Sequence, residues 1–242
     1  MNTPAPVHLS ELSVVIPFFN EAGAIPNLVT ELFAVLTALG QTYELVLVND
    51  GSTDGTAKAL SNCARQNRAC RIFNLEKNSG QAAALLFGFQ KASAPVIITL
   101  DGDGQNSPAD IPRLITLLND ADMVVGIRQE RQDTVLRRAM SRSANFVRSR
   151  LLKDGMRDSG CALKVFRREV CASFLPIRSL YSFMPALAVA GGYRVIQAPV
   201  QHKERTSGIS KYGLRTFAWR PACDMVMIWW FVKRRCPQVR AK

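Results

Sequence analysis

Five continuous apolar runs in the first half of the chain alternate with segments of helical periodicity. The runs are Leu12–Phe19, Tyr43–Val48, Arg71–Leu75, Pro95–Leu100 and Met123–Ile127. Their content of Val, Ile and Leu is typical of strands covered on both faces of a sheet. Between the first two runs, apolar residues from Ile25 to Leu39 follow the period of one helix face. Asn20 is a candidate N-cap for this helix, and Gly40 is a candidate end. Strands that alternate with helices predict parallel βαβ units.

The second half of the chain has a different pattern. A basic helix is expected over 135–152, and strand-like runs return at Ala162–Phe166 and Tyr193–Val200. The uncharged segment Leu180–Ala190 predicts a helix that is buried or faces lipid, and the polar segment 202–213 predicts a loop. We therefore predict an α/β domain over 1–213, with halves at 1–127 and 128–213, followed by a tail at 214–242.

Composition narrows the class of protein. The chain has 242 residues, of which 48% are hydrophobic, which is enough for one sizeable core. Its six cysteines form no C-x-x-C pair and it has only two histidines, so reduced thiols in the cytosol fit better than a zinc site or a disulfide framework. The first nineteen residues lack Lys and Arg, which argues against a signal peptide.

The net charge of +12 is unevenly distributed. Residues 1–126 contain 7 Lys and Arg against 12 Asp and Glu, whereas residues 127–242 contain 24 against 7. A basic, solvated surface would explain this difference, but so would a second half that faces an anion. Phosphate, nucleic acid and an acidic membrane are the candidate anions.

The tail contains the apolar segment Met225–Val232, which includes two tryptophans and is followed by Lys233-Arg234-Arg235. The segment is too short to span a bilayer, which needs about 20 apolar residues. Aromatic residues beside a basic run are typical of a membrane interface. We therefore predict an amphipathic, membrane-proximal tail, with a core helix that ends in a solvated basic run as the alternative.

The most informative feature for chemistry is the motif Asp101-Gly102-Asp103-Gly104-Gln105, directly after a predicted strand. Two carboxylates and an amide oxygen stand at alternate positions. Mg²⁺ is commonly bound by one or two carboxylates together with substrate phosphates. Ligands of open parallel sheets bind at the carboxyl ends of the strands. The motif therefore predicts a site for a metal and a diphosphate.

A second acidic turn, Asn49 to Thr56, follows the strand that ends at Val48. Asp50 would then lie at the same sheet edge as Asp101, where it can accept hydrogen bonds from a ribose or a base. Alone, the turn is better explained as ordinary turn chemistry, but the matching acidic motif at Asp101 favours a functional role. The chain lacks a P-loop and a dinucleotide-binding glycine motif, which favours a nucleotide bound through a metal.

Four blocks together resemble family 2 glycosyltransferases, which have the GT-A nucleotide-diphospho-sugar transferase fold. They are Val15–Glu21, the Asp50 turn, Asn78–Gly80 and the Asp101 motif. In the second half, Arg137–Asn145, Asp158–Cys161 and Arg205–Tyr212 resemble segments of dolichyl- and polyprenyl-phosphate sugar synthases. The resemblance implies a mostly parallel, Rossmann-like sheet flanked by helices.

The resemblance also implies residue roles. Pro17, Phe19, Glu21, Asp50, Gly80 and Asp101 would bind the nucleotide sugar. Asp101, Asp103 and Gln105 would serve Mg²⁺ or Mn²⁺. Arg128, Arg137, Ser141, Arg205 and Lys211 would bind the acceptor phosphate, and the catalytic set would be Asp101, Asp103, Arg128 and Arg137. The expected partners are a nucleotide-sugar donor, a polyprenyl phosphate and the cytoplasmic surface of a membrane.

Two alternatives within the glycosyltransferase class differ in the acceptor, which is either a phosphate or a hydroxyl group. A hydroxyl acceptor requires a general base, for which Asp158 is the candidate, whereas a phosphate monoester is largely ionised at neutral pH because its second pKa is about 6. The many arginines after residue 127 favour a phosphate. A basic nucleic-acid-binding protein is the remaining alternative, and the few aromatic residues over 128–178 argue against it.

Overall fold

The structure, a computed structural model, describes residues 11–129, 148–203 and 216–235. The strands are β1 (Leu12–Phe18), β2 (Tyr43–Asn49), β3 (Cys70–Asn74), β4 (Val96–Thr99), β5 (Met123–Arg128), β6 (Lys164–Arg167) and β7 (Val195–Val200). The helices are α1 (Ile25–Ala38), α2 (Thr56–Gln66), α3 (Gln81–Lys91), α4 (Ile111–Thr116), α5 (Leu180–Ala190) and α6 (Thr216–Arg234). Each apolar run that predicted a strand overlaps one of these strands.

The described strands form one sheet in the order β3-β2-β1-β4-β6-β5-β7. Strand β6 is antiparallel to both of its neighbours, and the other pairs are parallel. This confirms the predicted mostly parallel sheet. Because β6 runs in the opposite direction, its first residue, Lys164, lies at the edge where β4 and β5 end. The register pairs Lys164 with Thr99 and Val125.

Helices cover both faces of the sheet, as its continuous apolar strands predict. Helices α1, α2 and α4 pack on one face, where Val14 and Ile16 of β1 contribute to the core. Helices α3 and α5 pack on the other face, against Val15 and its neighbours. At Gly88, α3 lies so close to β1 that a Cβ atom would collide with Val15. Alternation of side chains along each strand therefore supplies both cores.

The start of α1 differs from the prediction. The helix begins at Ile25 after Ala24, with a proline in its first turn and no side-chain cap. The prediction of Asn20 as its N-cap is wrong, because Asn20 has a φ of 54° and its Oδ1 accepts a hydrogen bond from the Thr53 amide at 2.8 Å. Asn20 thus joins the end of β1 to the turn after β2. Gly40, with a φ of 68°, follows the helix end as predicted.

The basic helix predicted over 135–152 lies mostly outside the described residues. Its described end, 148–152, is helical. Arg148 forms a buried ion pair with Asp154 at 2.7 Å, and its Nη2 donates to the Ser182 carbonyl of α5 at 3.1 Å. These contacts fix the end of this segment on α5. Over the residues that the structure describes, no helix has the length and apolar character of a membrane span.

Candidate active site

The acidic motif lies where β4 ends, as predicted. Gln81, the first residue of α3, donates from Nε2 to Asp101 Oδ1 at 2.6 Å. Asp103 Oδ1 accepts the backbone N–H of Gln105 at 3.1 Å, which closes a turn within the motif. The side chain of Asn106 accepts the Asp101 N–H at 3.4 Å. Both carboxylates are therefore oriented by hydrogen bonds at the sheet edge.

The electrostatic environment of Asp101 favours a bound cation. Burial and the nearby Asp103 carboxylate raise the pKa of Asp101 to about 6, while Lys164, Arg128 and the Gln81 hydrogen bond act in the opposite direction. Two adjacent carboxylates fit Mg²⁺ or Mn²⁺ that also takes oxygens from a diphosphate. Within the described ranges, no group of three or more His, Cys, Asp and Glu side chains forms a metal site.

Protons are expected to compete with the metal at Asp101. Its pKa of about 6, against an ordinary value of 3.8, means that the metal-free carboxyl is mostly protonated at pH 5 and ionised at pH 7. We expect the apparent Mn²⁺ affinity to rise about tenfold from pH 5 to pH 7 and then to level off. Mn²⁺ titration followed by electron paramagnetic resonance measures this affinity. An affinity that does not change over this range would contradict the prediction.

The second acidic site organises the start of α3. Asp50 is buried, and its carboxylate oxygens accept the backbone N–H groups of Ser79 at 2.7 Å and Gly80 at 2.9 Å. Gly51 has a φ of 64°, and a Cβ atom there would lie 2.8 Å from Lys77 Cα, so this turn requires glycine. Asp50 thus positions Gly80. The following residue, Gln81, begins α3 and donates a hydrogen bond to Asp101. The two acidic sites are thereby connected.

The end of β1 lies at the same edge of the sheet. Pro17 is in β1, and Phe19 is the first residue after this strand. Glu21 is buried, and its backbone N–H donates a hydrogen bond to Thr56 Oγ1 at 3.0 Å. Phe18 and Pro17 pack directly on Gly102 of the acidic motif. The structure thus brings all the described residues that were predicted to bind the nucleotide sugar to one edge of the sheet.

Gly102 is required for this packing. A Cβ atom at residue 102 would lie 2.9 Å from the Pro17 carbonyl oxygen and 2.8 Å from Phe18 Cε1. We expect Gly102→Ala to lower the free energy of unfolding by about 1–3 kcal/mol, as overpacking does. Urea unfolding followed by circular dichroism measures this change. Gly55→Ala is the control, because a Cβ atom at residue 55 would meet Ala22 Cβ at an ordinary 3.5 Å.

Arg128 lies at the end of β5, on the opposite side of Asp101 from the Asp50 turn. Its Nε and Nη2 atoms each donate to Asp158 at 2.8 Å, and the two side chains are 17% and 8% exposed. The fork of the guanidinium is thus directed at Asp158. Arg128 also interacts with the Asp101 carboxylate. The predicted acceptor side and the predicted metal side consequently belong to one charged cluster.

Three residues of the site were missed by the sequence analysis. Gln81 and Asn106 bond to Asp101, and Lys164, only 1% exposed, donates from Nζ to the Cys161 carbonyl and interacts with Asp101. The sequence signal that could have identified Lys164 is that it is the single charged residue in the strand-like run Ala162–Phe166. A small pocket beside the motif is lined by Gln81, Thr99, Asp101, Lys164, Tyr181 and Met184.

The remaining predicted acceptor residues, Arg137, Ser141, Arg205 and Lys211, lie outside the described residues. The described chain before Arg205 ends at Lys203. The N–H of Lys203 donates to the Gln105 carbonyl at 2.8 Å, and its Nζ pairs with Glu31 of α1 at 2.6 Å. Asn106 and His202 also form an isolated antiparallel bridge. The chain therefore leaves the described region beside the acidic motif.

Comparison with known sequences establishes the family. Residues 13–175 match the sequence profile described as Glycosyl transferase family 2. The chain therefore belongs to this family. It is 40% identical over 206 residues to an undecaprenyl-phosphate 4-deoxy-4-formamido-L-arabinose transferase of Edwardsiella ictaluri, which covers 84% of this chain and 63% of that protein. It thus spans just under two thirds of the length of this relative.

A second relative agrees with this assignment, and a solved structure has the same fold. A dodecaprenyl-phosphate galacturonate synthase of Rhizobium johnstonii is 36% identical over 238 residues, which is 96% of this chain and 70% of that protein. A mannosyltransferase from Pyrobaculum calidifontis, solved in complex with GDP-Man and Mn²⁺, superposes with a TM-score of 0.67 at 20% identity and covers 98% of this chain and 68% of that one. The predicted GT-A fold is confirmed.

Proposed function

We propose that this protein transfers a sugar from a nucleotide sugar to a polyprenyl phosphate at the cytoplasmic face of a membrane. The observation that carries the proposal is the cluster in which Asp101 and Asp103 lie beside Arg128 and Lys164 at one sheet edge. Such a cluster suits a reaction between two phosphate-bearing substrates. The names of the two relatives, which refer to undecaprenyl and dodecaprenyl phosphates, support this acceptor class.

On the donor side, we assign Pro17, Phe19, Glu21 and Asp50 to the base and ribose, and Gly80 to the nucleotide sugar. Asp101, Asp103 and Gln105 would hold Mg²⁺ or Mn²⁺, which when bound offsets the negative charge that develops on the departing diphosphate. The protein keeps these groups in place through Gln81 and the turn at 103–105. Preorganised ligands of this kind need little rearrangement during the reaction.

On the acceptor side, a phosphate oxygen attacks the anomeric carbon as the bond to the diphosphate breaks, which inverts the configuration. A phosphate dianion has no proton to lose at this oxygen, so the site must position it and neutralise its charge. We assign this role to Arg128, Arg137, Ser141, Arg205 and Lys211.

The alternative hydroxyl acceptor would need Asp158 as a base. Both oxygens of Asp158 accept hydrogen bonds from Arg128 at 2.8 Å. These bonds, and a third from the Arg128 backbone N–H at 3.2 Å, occupy lone pairs that a general base would offer to an acceptor hydroxyl. This pairing favours the phosphate acceptor over the hydroxyl acceptor.

A donor screen with two matched acceptors tests the proposal. The full chain is incubated with Mn²⁺, a panel of radiolabelled nucleotide sugars and detergent-solubilised undecaprenyl phosphate or undecaprenol. We expect labelled lipid with the phosphate and none with the alcohol, for at least one donor. Equal transfer to undecaprenol, or transfer to a saccharide hydroxyl with no lipid phosphate present, would overturn the proposal.

A further inference from the structure

Helix α6 presents an exposed apolar stripe on one side. Val226, Met227 and Trp230 are 57%, 42% and 56% exposed, and they are the exposed large apolar side chains among the residues whose burial the structure describes. Their spacing places them next to one another on the helix surface. Scattered exposed apolar residues are ordinary, but a contiguous group on one helix is typical of an interaction surface.

The orientation of this stripe is fixed by contacts on the opposite side of α6. Ile228 is completely buried, and Met225 and Trp229 pack against the apolar core to which α5 contributes. Asp224 accepts a hydrogen bond from the hydroxyl of Ser179, the residue before α5. Because these contacts determine the rotation of the helix, burying the exposed stripe against the domain would require breaking them.

Basic residues continue the stripe at the end of α6. Lys233 and Arg234 are exposed, and each lies over an indole ring, with Lys233 Nζ 4.1 Å from the centroid of Trp229 and Arg234 Cζ 5.9 Å from that of Trp230. The single acidic residue over 223–235 is Asp224, which is bonded to Ser179. The exposed side of this part of α6 is therefore apolar and cationic, without an acidic side chain.

We propose that this surface of α6, formed by Val226, Met227, Trp230, Lys233 and Arg234, docks on an anionic lipid bilayer. Apolar side chains enter the interface while cations contact lipid phosphates, and tryptophan is favoured at this depth. A second copy of the chain fits less well, because the same surface offers no carboxylate to the cations of its partner. This docking rests on the proposed function, because the proposed acceptor is a lipid in the membrane.

Vesicle flotation tests the docking directly. The full chain is mixed with vesicles of phosphatidylcholine alone, or of phosphatidylcholine with about one third phosphatidylglycerol. We expect binding to the anionic vesicles. The variant Met227→Ser/Trp230→Ser should reduce this binding at least about tenfold. Lys233→Glu/Arg234→Glu should also reduce it at least about tenfold, since each cation near the surface contributes about fivefold.

The control is Lys58→Glu/Arg65→Glu, which changes the net charge equally on α2, on the other face of the sheet. It should bind the anionic vesicles far better than the α6 charge variant. Thermal unfolding verifies that every variant is folded. Equal binding by all variants, or equal binding to neutral vesicles, would overturn the proposal.

Two further measurements separate the possible causes of failure. A concentration-dependent dimer in analytical ultracentrifugation, lost in Met227→Ser/Trp230→Ser, would assign this surface to a second copy and reject lipid docking. Sugar transfer by the unchanged protein is measured in detergent, without vesicles. Failure of that transfer would count against the proposed function, whereas failure of flotation alone would count against the docking.

Discussion

Asp103→Asn is expected to lower kcat for sugar transfer at least about a thousandfold, equivalent to about 4 kcal/mol of transition-state stabilisation. The substitution removes one negative charge from the pair of carboxylates that would hold the metal. Its amide oxygen can still accept the Gln105 N–H that Asp103 Oδ1 accepts at 3.1 Å. The loss should therefore reflect the charge of the carboxylate and not the turn. Initial rates at saturating Mn²⁺ measure it.

Two comparisons make this result specific. Asp103→Ala removes both the charge and the turn hydrogen bond, and should be at least as defective as Asp103→Asn. Asp120→Ala changes an exposed acidic residue before β5, at the opposite edge of the sheet, and should retain nearly full activity. Near-normal turnover by Asp103→Asn with saturating metal would refute the metal assignment.

The parts of the site that could be predicted from the sequence depend on residues that are close together along the chain. Asp50 and Asp101 each follow a continuous apolar run directly, so their position at a strand end is readable from neighbouring residues. The shared edge then follows from parallel strand order, which is itself implied by the alternation of strands and helices. Helix α1 was predicted by its periodic apolar face in the same way.

The parts that the sequence did not predict depend on pairing between distant segments. The antiparallel direction of β6 cannot be read from its hydrophobic pattern, because a buried strand has the same apolar content in either direction. Lys164 was missed since only the ends of strands, and not the beginning of one, were expected at the site. The contacts of Gln81 and of Arg128 depend on segments 20 and 30 residues away along the chain.

The Asp50 turn shows that a correct position does not establish a role. Asp50 lies at the predicted edge, but its carboxylate is buried and bonded to the turn at 78–80. Its assignment to the base or ribose stays a prediction. The geometry adds a structural role, because the same bonds place Gly80 at the start of α3, next to the residue that bonds Asp101.

Replacing Arg128 with methionine is expected to lower the free energy of unfolding by about 3–5 kcal/mol, because it removes the guanidinium that is bonded to both oxygens of the mostly buried Asp158 carboxylate. The double variant Arg128→Met/Asp158→Asn should recover much of this loss, since it also removes the carboxylate charge that Arg128 offsets. Urea unfolding of the wild type, the two single variants and the double variant measures the coupling. Glu31→Gln, in the exposed pair with Lys203, should cost at most about 1 kcal/mol.

The same set of variants decides whether Arg128 serves the acceptor as well as the fold. If Arg128 contacts the lipid phosphate, the double variant regains stability but keeps a KM for undecaprenyl phosphate at least about tenfold above wild type, because a lost charge-assisted bond to phosphate is worth about 1.5–3 kcal/mol. The KM for the donor should change much less. Recovery of both stability and acceptor KM in the double variant would limit Arg128 to pairing with Asp158, and the acceptor phosphate would then depend on other cations.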